Sequence, residues 1–243
     1  MTYCVGLFLR DGIVMASDTR TSAGADNILC FRKMHLVEEP GERVLALLSA
    51  GNLALSQAVI NVLEEGIETA HGHETLRSVP TVFRAAQLVG SAIRQVYRAD
   101  GPSLEAQKVP FDVSLLLGGQ IAGSELHLFQ IYSAGNFIEA TPDAPYLQIG
   151  EHKYGKPILE RVCRHETPPE EGIKLVLISM DSTLRSNLAV GLPLDLLVLR
   201  RDELRIHLQR RIADDDPYFR MIRERWSEAL REAYQAIPKP DWG

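Results

Sequence analysis

Thr2 directly follows the initial methionine of this sequence. A threonine at the very start of a chain can act as a nucleophile, because its own α-amino group is then free. A threonine hydroxyl is a poor nucleophile at neutral pH unless a nearby base accepts its proton. A free α-amino group, with an ordinary pKa near ~8, can act as that base within the same residue or through one water molecule. We therefore expect Met1 to be removed without a longer leader, so that Thr2 becomes the first residue of the working chain.

The elements that must position Thr2 follow it directly. Apolar runs at 3–9 and 13–16 flank Arg10-Asp11-Gly12, which predicts a hairpin with glycine in the turn. After a polar stretch at 19–27, short apolar runs alternate with segments of helical periodicity. They predict strands at 34–37 and 44–48, helices at 53–62 and 81–97, strands at 113–117, 126–132, 137–140 and 146–149, helices at 154–162 and 170–188, strands at 194–199 and 204–208, and a helix at 217–236.

Two groups of antiparallel strands that alternate with helix pairs predict an α+β fold, a four-layer αββα sandwich in which helices cover the outer face of each sheet. We find no internal linker, so residues 1–243 are expected to form a single domain, with 215–243 as a C-terminal helical extension. Asp216 is expected to cap the last helix and Pro217 to occupy its first position.

Composition excludes several classes of function. Of 243 residues, 45% are hydrophobic, enough for a continuous core, and a net charge of −6 gives no basic surface for nucleic acid. No apolar run reaches the ~20 residues needed to cross a bilayer, so no membrane partner is expected. Cys4, Cys30 and Cys163 are odd in number and widely spaced, which favours a reducing, cytoplasmic location.

The order of elements behind Thr2 resembles the β-subunit-like N-terminal-nucleophile hydrolases of the proteasome superfamily, over nearly the whole chain. The resemblance depends on Thr2, the segment GIVMASDTRTSAG at 12–24, Lys33, and SAGN at 49–52. Within the superfamily, the Thr2 start, IGEHKYGKPIL at 149–159 and SMDSTLRSN at 179–187 look most like Anbu, the bacterial ancestral-β-subunit-like group.

The resemblance implies roles for four catalytic residues. Thr2 would be the nucleophile, Lys33 would lower the cost of ionising its hydroxyl, and Asp18 would orient Lys33 and keep it charged. The backbone N–H of Gly51 would stabilise the oxyanion. Taken singly, Asp18 could cap a turn and Lys33 could end a strand in solvent, and because the loop between them is one residue shorter than usual, Arg32 is a conceivable substitute. Gly51 could also be part of an ordinary strand-to-helix turn with Asn52 near the cap.

The same resemblance implies substrate contacts at Arg20, Thr21 and Ser49, the last in the first specificity pocket. Arg20 could equally form a structural ion pair with Asp18 or Asp26. The elements that usually support the nucleophile's amine match less well, because Glu151 replaces the customary serine and would make the amine a weaker base. Four residues could support the terminus: Glu151, Asp181, Ser186 and Asn187.

The resemblance implies a threonine-type peptidase or amidase that cleaves peptide or amide bonds through an acyl-enzyme on Thr2, in a homo-oligomer that forms a ring or an open lock-washer helix. The alternatives are a catalytically weak or inactive assembly scaffold and a narrow-substrate amidase. We expect no cofactor, and no metal site at His71-Gly72-His73-Glu74, where further ligands at a recognisable spacing are missing. The sequence leaves open whether an unfoldase partner is needed.

Overall fold

The computed structural model describes residues 1–22, 28–70 and 72–242. Its strands are β1 (Tyr3–Leu9), β2 (Gly12–Asp18), β3 (Arg20–Ser22), β4 (Ile28–Cys30), β5 (Met34–Glu39), β6 (Arg43–Gly51), β7 (Ile67–Thr69), β8 (Gly72–Glu74), β9 (Val113–Ile121), β10 (His127–Ile131), β11 (Phe137–Glu139), β12 (Tyr146–Gly150), β13 (Leu194–Arg200) and β14 (Ile206–Ile212). The helices are α1 (Leu53–Glu65), α2 (Val82–Ala106), α3 (Lys156–Val162), α4 (Pro169–Ser186) and α5 (Pro217–Ala236).

Two five-stranded antiparallel sheets form the centre of the fold. The first has the strand order β12-β1-β2-β13-β14, and the second has the order β11-β10-β9-β6-β5. In the first sheet, β1 lies between β2 and β12, so the residues at its start are held from both sides. In the second sheet, β6 pairs with β9 over its whole length, from Arg43↔Ile121 to Gly51↔Val113.

The core consists of three apolar layers, as the predicted αββα sandwich requires. Helices α1 and α2 pack on the second sheet, and α3, α4 and the first turns of α5 pack on the first sheet. Between the sheets, alternate residues of β1 and β2, including Cys4, Ile13 and Met15, meet Ala46, Leu48 and Leu116 of the second sheet. The alternation of strand side chains therefore places the residues that flank Thr2 in a dry interior.

Polar residues fix where the helices begin. The side chain of Asn52 accepts hydrogen bonds from Ala54 N (3.0 Å) and Leu55 N (3.5 Å) and so caps α1. The side chain of Asp216 accepts from Phe219 N at 2.9 Å, and Pro217 occupies the first position of α5, which confirms both sequence predictions. Beyond its buried Phe219 and Ile222, α5 leaves Leu230 and Tyr234 exposed.

The sequence reasoning missed two short ribbons, β3–β4 and β7–β8, whose strands are three residues long and polar in part. None of the helices formed by the described residues is both long and apolar enough to cross a lipid bilayer.

Candidate active site at Thr2

The peptide unit that joins Thr2 to Tyr3 is held by a hydrogen bond on each side. Its carbonyl oxygen accepts a hydrogen bond from Glu151 N at 2.7 Å, and the next N–H, of Tyr3, donates to Asp18 Oδ1 at 3.1 Å. Gly150 adopts φ +77°, and a Cβ atom at this position would overlap the Thr2 carbonyl oxygen. Only glycine allows this approach without strain, and the sequence reasoning gave Gly150 no role.

Lys33 and Asp18 form a buried ion pair beneath Thr2. Lys33 Nζ lies 2.8 Å from Asp18 Oδ1 and also donates to the carbonyl oxygen of Arg20 at 2.6 Å, while Gly191 N donates to Asp18 Oδ2 at 3.3 Å. Burial raises the pKa of Asp18 above its ordinary value, and the Lys33 ammonium acts in the opposite direction. Arg32, the conceivable substitute, is exposed. The ion pair expected from the resemblance is therefore present.

Two cavities meet at Thr2. One, of about 460 Å³, is lined by Lys33 and by Thr21, Leu29, Phe31, Ser49, Leu53 and Ser56. The other, of about 590 Å³, is lined by Val109, Pro110, Asp112, Ser114, Gly150, Glu151, His152 and Lys153. Both cavities share Met1, Thr2, Ala50, Gly51 and Asn52. An extended chain that ran from one cavity to the other would pass over Thr2 and Gly51, because both residues line both cavities.

Gly51 joins β6 to the N-terminal end of α1. Its φ is +105°, and a Cβ atom there would overlap the carbonyl oxygen of Asp112, which accepts a hydrogen bond from Asn52 N at 2.7 Å. Asn52 caps the helix, so Gly51 is part of an ordinary strand-to-helix turn and also lies beside Thr2. The positive end of the α1 dipole also lies on this side, which favours a developing negative charge.

The three expected substrate contacts separate into two groups. Thr21 and Ser49 line the cavity that contains Lys33. The Arg20 guanidinium instead packs against Gly191 and donates to the carbonyl oxygen of Leu188 at 2.9 Å, and Arg20 is absent from the described lining of both cavities. Its carbonyl oxygen, which accepts from Lys33, is the part of Arg20 that reaches the site. Asp26 lies outside the described residues.

The four residues that could support the terminus lie in different parts of the structure. Glu151 Oε2 accepts a hydrogen bond from Asn187 Nδ2 at 2.9 Å, and both residues lie beside Met1. Asp181 is buried between Arg185 and Arg223, at 3.0 and 2.9 Å, and links α4 to α5. Ser186 is exposed at the end of α4. The structure therefore brings Glu151 and Asn187 to the terminus and engages Asp181 elsewhere.

Cys4 and the described residues of segment 71–74 make contacts that hold the fold together. Cys4 is fully buried between the sheets, its Sγ lies 3.6 Å from the Ser49 carbonyl oxygen, and burial raises its pKa, so it behaves as a small core residue. His73 Nδ1 lies 3.1 Å from Glu68 Oε1, Glu74 pairs with Arg84, and His71 lies outside the described residues. A larger cavity of about 620 Å³ along β12 and α3 contains neither Thr2 nor Lys33 in its described lining.

Comparison with known proteins identifies relatives that match most of the chain. A family profile described as "Proteasome subunit" matches residues 2–198. The proteasome subunit beta of Ferroglobus placidus (strain DSM 10642 / AEDII12DO) is 24% identical over 202 residues, which cover 83% of this chain and 88% of that protein.

Solved structures give a closer match. A mutant of Anbu from Hyphomicrobium sp. strain MC1 is 48% identical with a TM-score of 0.91, over 99% of this chain and 100% of that one. Anbu (ancestral beta-subunit) from Yersinia bercovieri is 47% identical with a TM-score of 0.91, over 99% and 100%. A structure described as the helical assembly of the Anbu complex from Pseudomonas aeruginosa is 47% identical with a TM-score of 0.92, over 99% and 98%.

Proposed function

Because the chain belongs to the proteasome subunit family, and within it to the Anbu group, we propose that it is an N-terminal threonine hydrolase that cleaves peptide or amide bonds through an acyl-enzyme on Thr2. The observation that carries the proposal is the buried Lys33–Asp18 pair, whose lysine lines the same cavity as Thr2. A buried lysine that is held by a carboxylate beside a hydroxyl is suited to stabilise an alkoxide.

The reaction begins once every residue before Thr2 has been removed. The Thr2 hydroxyl adds to the substrate carbonyl, and its proton passes to the free α-amino group. The N–H of Gly51 donates to the resulting oxyanion, and Lys33 stabilises the negative charge that develops on the Thr2 oxygen. Collapse of the intermediate breaks the amide bond, and the leaving amine takes a proton from the Thr2 ammonium.

A water molecule completes the cycle. It adds to the ester on Thr2, gives up a proton to the Thr2 amine, and releases the carboxylic acid together with the regenerated hydroxyl. Thr21 and Ser49 line the cavity on the Lys33 side and contact the substrate there. Asp18 does not exchange a proton in this scheme, because its part is to hold Lys33 in place and charged.

We expect a direct test to depend on the residue before Thr2. A peptide epoxyketone requires both the hydroxyl and the free amine of an N-terminal threonine to close its ring. The chain that begins at Thr2 should gain the mass of the probe, whereas the same chain with Met1 retained should not be labelled in full, because its Thr2 nitrogen is an amide. Thr2→Ala, prepared without Met1, is the control for labelling elsewhere, and intact mass spectrometry is the measurement.

One outcome would overturn the catalytic proposal. If the chain that begins at Thr2 is folded and assembled but does not react, a scaffold role replaces the hydrolase. If it reacts with the probe, a library of peptides and simple amides then separates a peptidase from a narrow-substrate amidase.

We also propose that the protein works as a homo-oligomer, a ring or an open lock-washer helix. A relative at 47% identity has been solved as a helical assembly, and in the single chain α5 exposes Leu230 and Tyr234 to solvent, as does Ile237 directly after the helix. Exposed apolar side chains on one helix are typical of a contact between subunits.

Light scattering at micromolar concentration should therefore give a mass several times that of one chain. Leu230→Lys should reduce this mass by placing a charge in the contact, while Leu188→Lys, at an exposed leucine outside α5, is the matched control. A stable monomer for the unmodified chain would refute self-association, and an assembly unaffected by Leu230→Lys would remove α5 from the contact.

A further inference from the structure

Glu151 lies immediately beside the nucleophile. It follows β12, and its N–H donates to the Thr2 carbonyl oxygen at 2.7 Å, one residue beyond the last regular pair of that ladder, Tyr3↔Gly150. Because this bond fixes the backbone of residue 151 against residue 2, the Glu151 carboxylate can reach only a small region around the start of the chain.

The carboxylate itself is buried and lacks a positive partner. Glu151 is only 8% exposed, and none of the ion pairs among the described residues includes it. Its partner is the neutral amide of Asn187, whose Nδ2 donates to Glu151 Oε2 at 2.9 Å. Asn187 Oδ1 accepts from Ala189 N at 2.9 Å, and this contact keeps the NH₂ group turned toward Glu151. A buried carboxylate is expensive when no cation compensates its charge.

Met1 occupies the space beside this carboxylate. Asn187 Nδ2 lies 3.8 Å from Met1 Sδ, and Met1, Thr2 and Glu151 line the same cavity. Removal of Met1 empties that space and leaves the nitrogen of Thr2 as an ammonium group in the cavity that Thr2 and Glu151 both line. The cation that Glu151 lacks is therefore created by the processing step itself.

We propose that Glu151, oriented by Asn187, binds the α-ammonium group of processed Thr2 and so sets the pH at which Thr2 gains its base. The proposal rests on the proposed function in so far as it requires a chain that begins at Thr2. Glu151 is a positioning residue in this scheme, since it acts on the amine and does not contact the substrate.

The other charged groups around the amine are either neutralised by a partner or exposed to solvent, so Glu151 is the group best placed to bind the ammonium. On one side Lys33 and Asp18 neutralise each other within hydrogen-bond distance. Across the cavity, three exposed residues face solvent, where water screens their charges: Asp112, His152 and Lys153. Glu151 is thus the buried carboxylate next to the amine that no lysine or arginine of the described chain pairs with.

The consequence is a shift in the titration of the amine. A neighbouring carboxylate favours the ammonium form and raises its pKa, so the free base that accepts the hydroxyl proton becomes available only at higher pH. Loss of the Glu151 charge should move the acid limb of the reaction to lower pH. A role confined to packing would instead lower the rate by the same factor at every pH.

The test uses the full-length chain that begins at Thr2, as unmodified protein, Glu151→Gln and Asp112→Asn. Two quantities are followed against pH: the ¹⁵N or ¹³C NMR signals of Thr2, and the rate of labelling by the epoxyketone. We expect Glu151→Gln to lower both midpoints by on the order of one pH unit, and Asp112→Asn, an exposed carboxylate on the same cavity, to lower them less.

The two readouts separate the failure of this proposal from that of the proposed function. Equal NMR midpoints in the unmodified chain and in Glu151→Gln would overturn the role of Glu151 even if Thr2 is labelled normally. A shifted NMR midpoint in a chain that never reacts with the probe would retain the Glu151–ammonium contact and refute the hydrolase.

Discussion

Lys33→Ala is expected to reduce the rate of Thr2 labelling by on the order of 10²–10³, because in the proposed mechanism the charge of Lys33 stabilises the developing alkoxide. It should also destabilise the fold by at most about 3–5 kcal/mol, since Asp18 loses its cation in a fully buried position. Because burial already raises the pKa of Asp18, protonation of its carboxyl group limits this loss and should leave assembly intact. Labelling kinetics and urea unfolding measure the two effects separately.

A double variant distinguishes chemistry from folding. Asp18→Asn with Lys33→Met replaces the buried ion pair by two neutral side chains of similar size, so it should recover part of the lost stability. It should not recover labelling, because the charge is still missing. Labelling of folded Lys33→Ala at the rate of the unmodified chain would remove Lys33 from the mechanism.

Gly150→Ala should have a comparably large effect on Thr2 without altering any reactive group. The new Cβ would overlap the Thr2 carbonyl oxygen, so the hydrogen bond from Glu151 N must lengthen and Thr2 must move. Displacement of a reacting group by about 1 Å can lower the rate by roughly 10²-fold. Labelling of the chain that begins at Thr2, measured against its folded fraction, tests the prediction.

Gly123→Ala is the matched control. Gly123 has the same φ of +77° as Gly150, but a Cβ atom added there has no neighbour within 4 Å. Both variants therefore carry the backbone strain of a positive φ, of order 1–2 kcal/mol, and only Gly150→Ala disturbs Thr2. If the two variants label at the same rate, the contact between Gly150 and the Thr2 carbonyl does not control the position of Thr2.

Much of the fold could be predicted because its strands and helices carry clear periodicity. The runs that became β1, β2 and β6 are apolar and bounded by turn residues, and α5 begins at the predicted Asp216 cap. The ribbons β3–β4 and β7–β8 escaped prediction because three-residue strands are too short to display an alternation and depend on pairing with each other.

The site was predictable only where a resemblance supplied the positions. Asp18 and Lys33 are 15 residues apart, and no local pattern indicates that their side chains meet. The contact of Gly150 with Thr2 depends on a φ angle and on a strand pairing across nearly 150 residues, so it has no sequence signal by itself. The choice among the downstream candidates likewise required the contacts of α4 and its C-cap: Asn187, at the cap, turns toward Glu151, and Asp181, inside the helix, faces Arg223.

The pairing of β2 with β13 determines when during synthesis the surroundings of Thr2 can be completed. Asp18 lies opposite Leu194 in this ladder, its carboxylate accepts from Gly191 N, and Thr19 Oγ1 donates to the Pro193 carbonyl oxygen at 2.7 Å. A ribosome that has already exposed the start of the chain must still add nearly two hundred residues before these partners emerge. Until then β2 lacks the neighbour on one of its two edges, and the Asp18 carboxylate lacks its hydrogen bond from Gly191 N. On the proposed mechanism, Thr2 is therefore translated long before the surroundings that would make its hydroxyl reactive are complete.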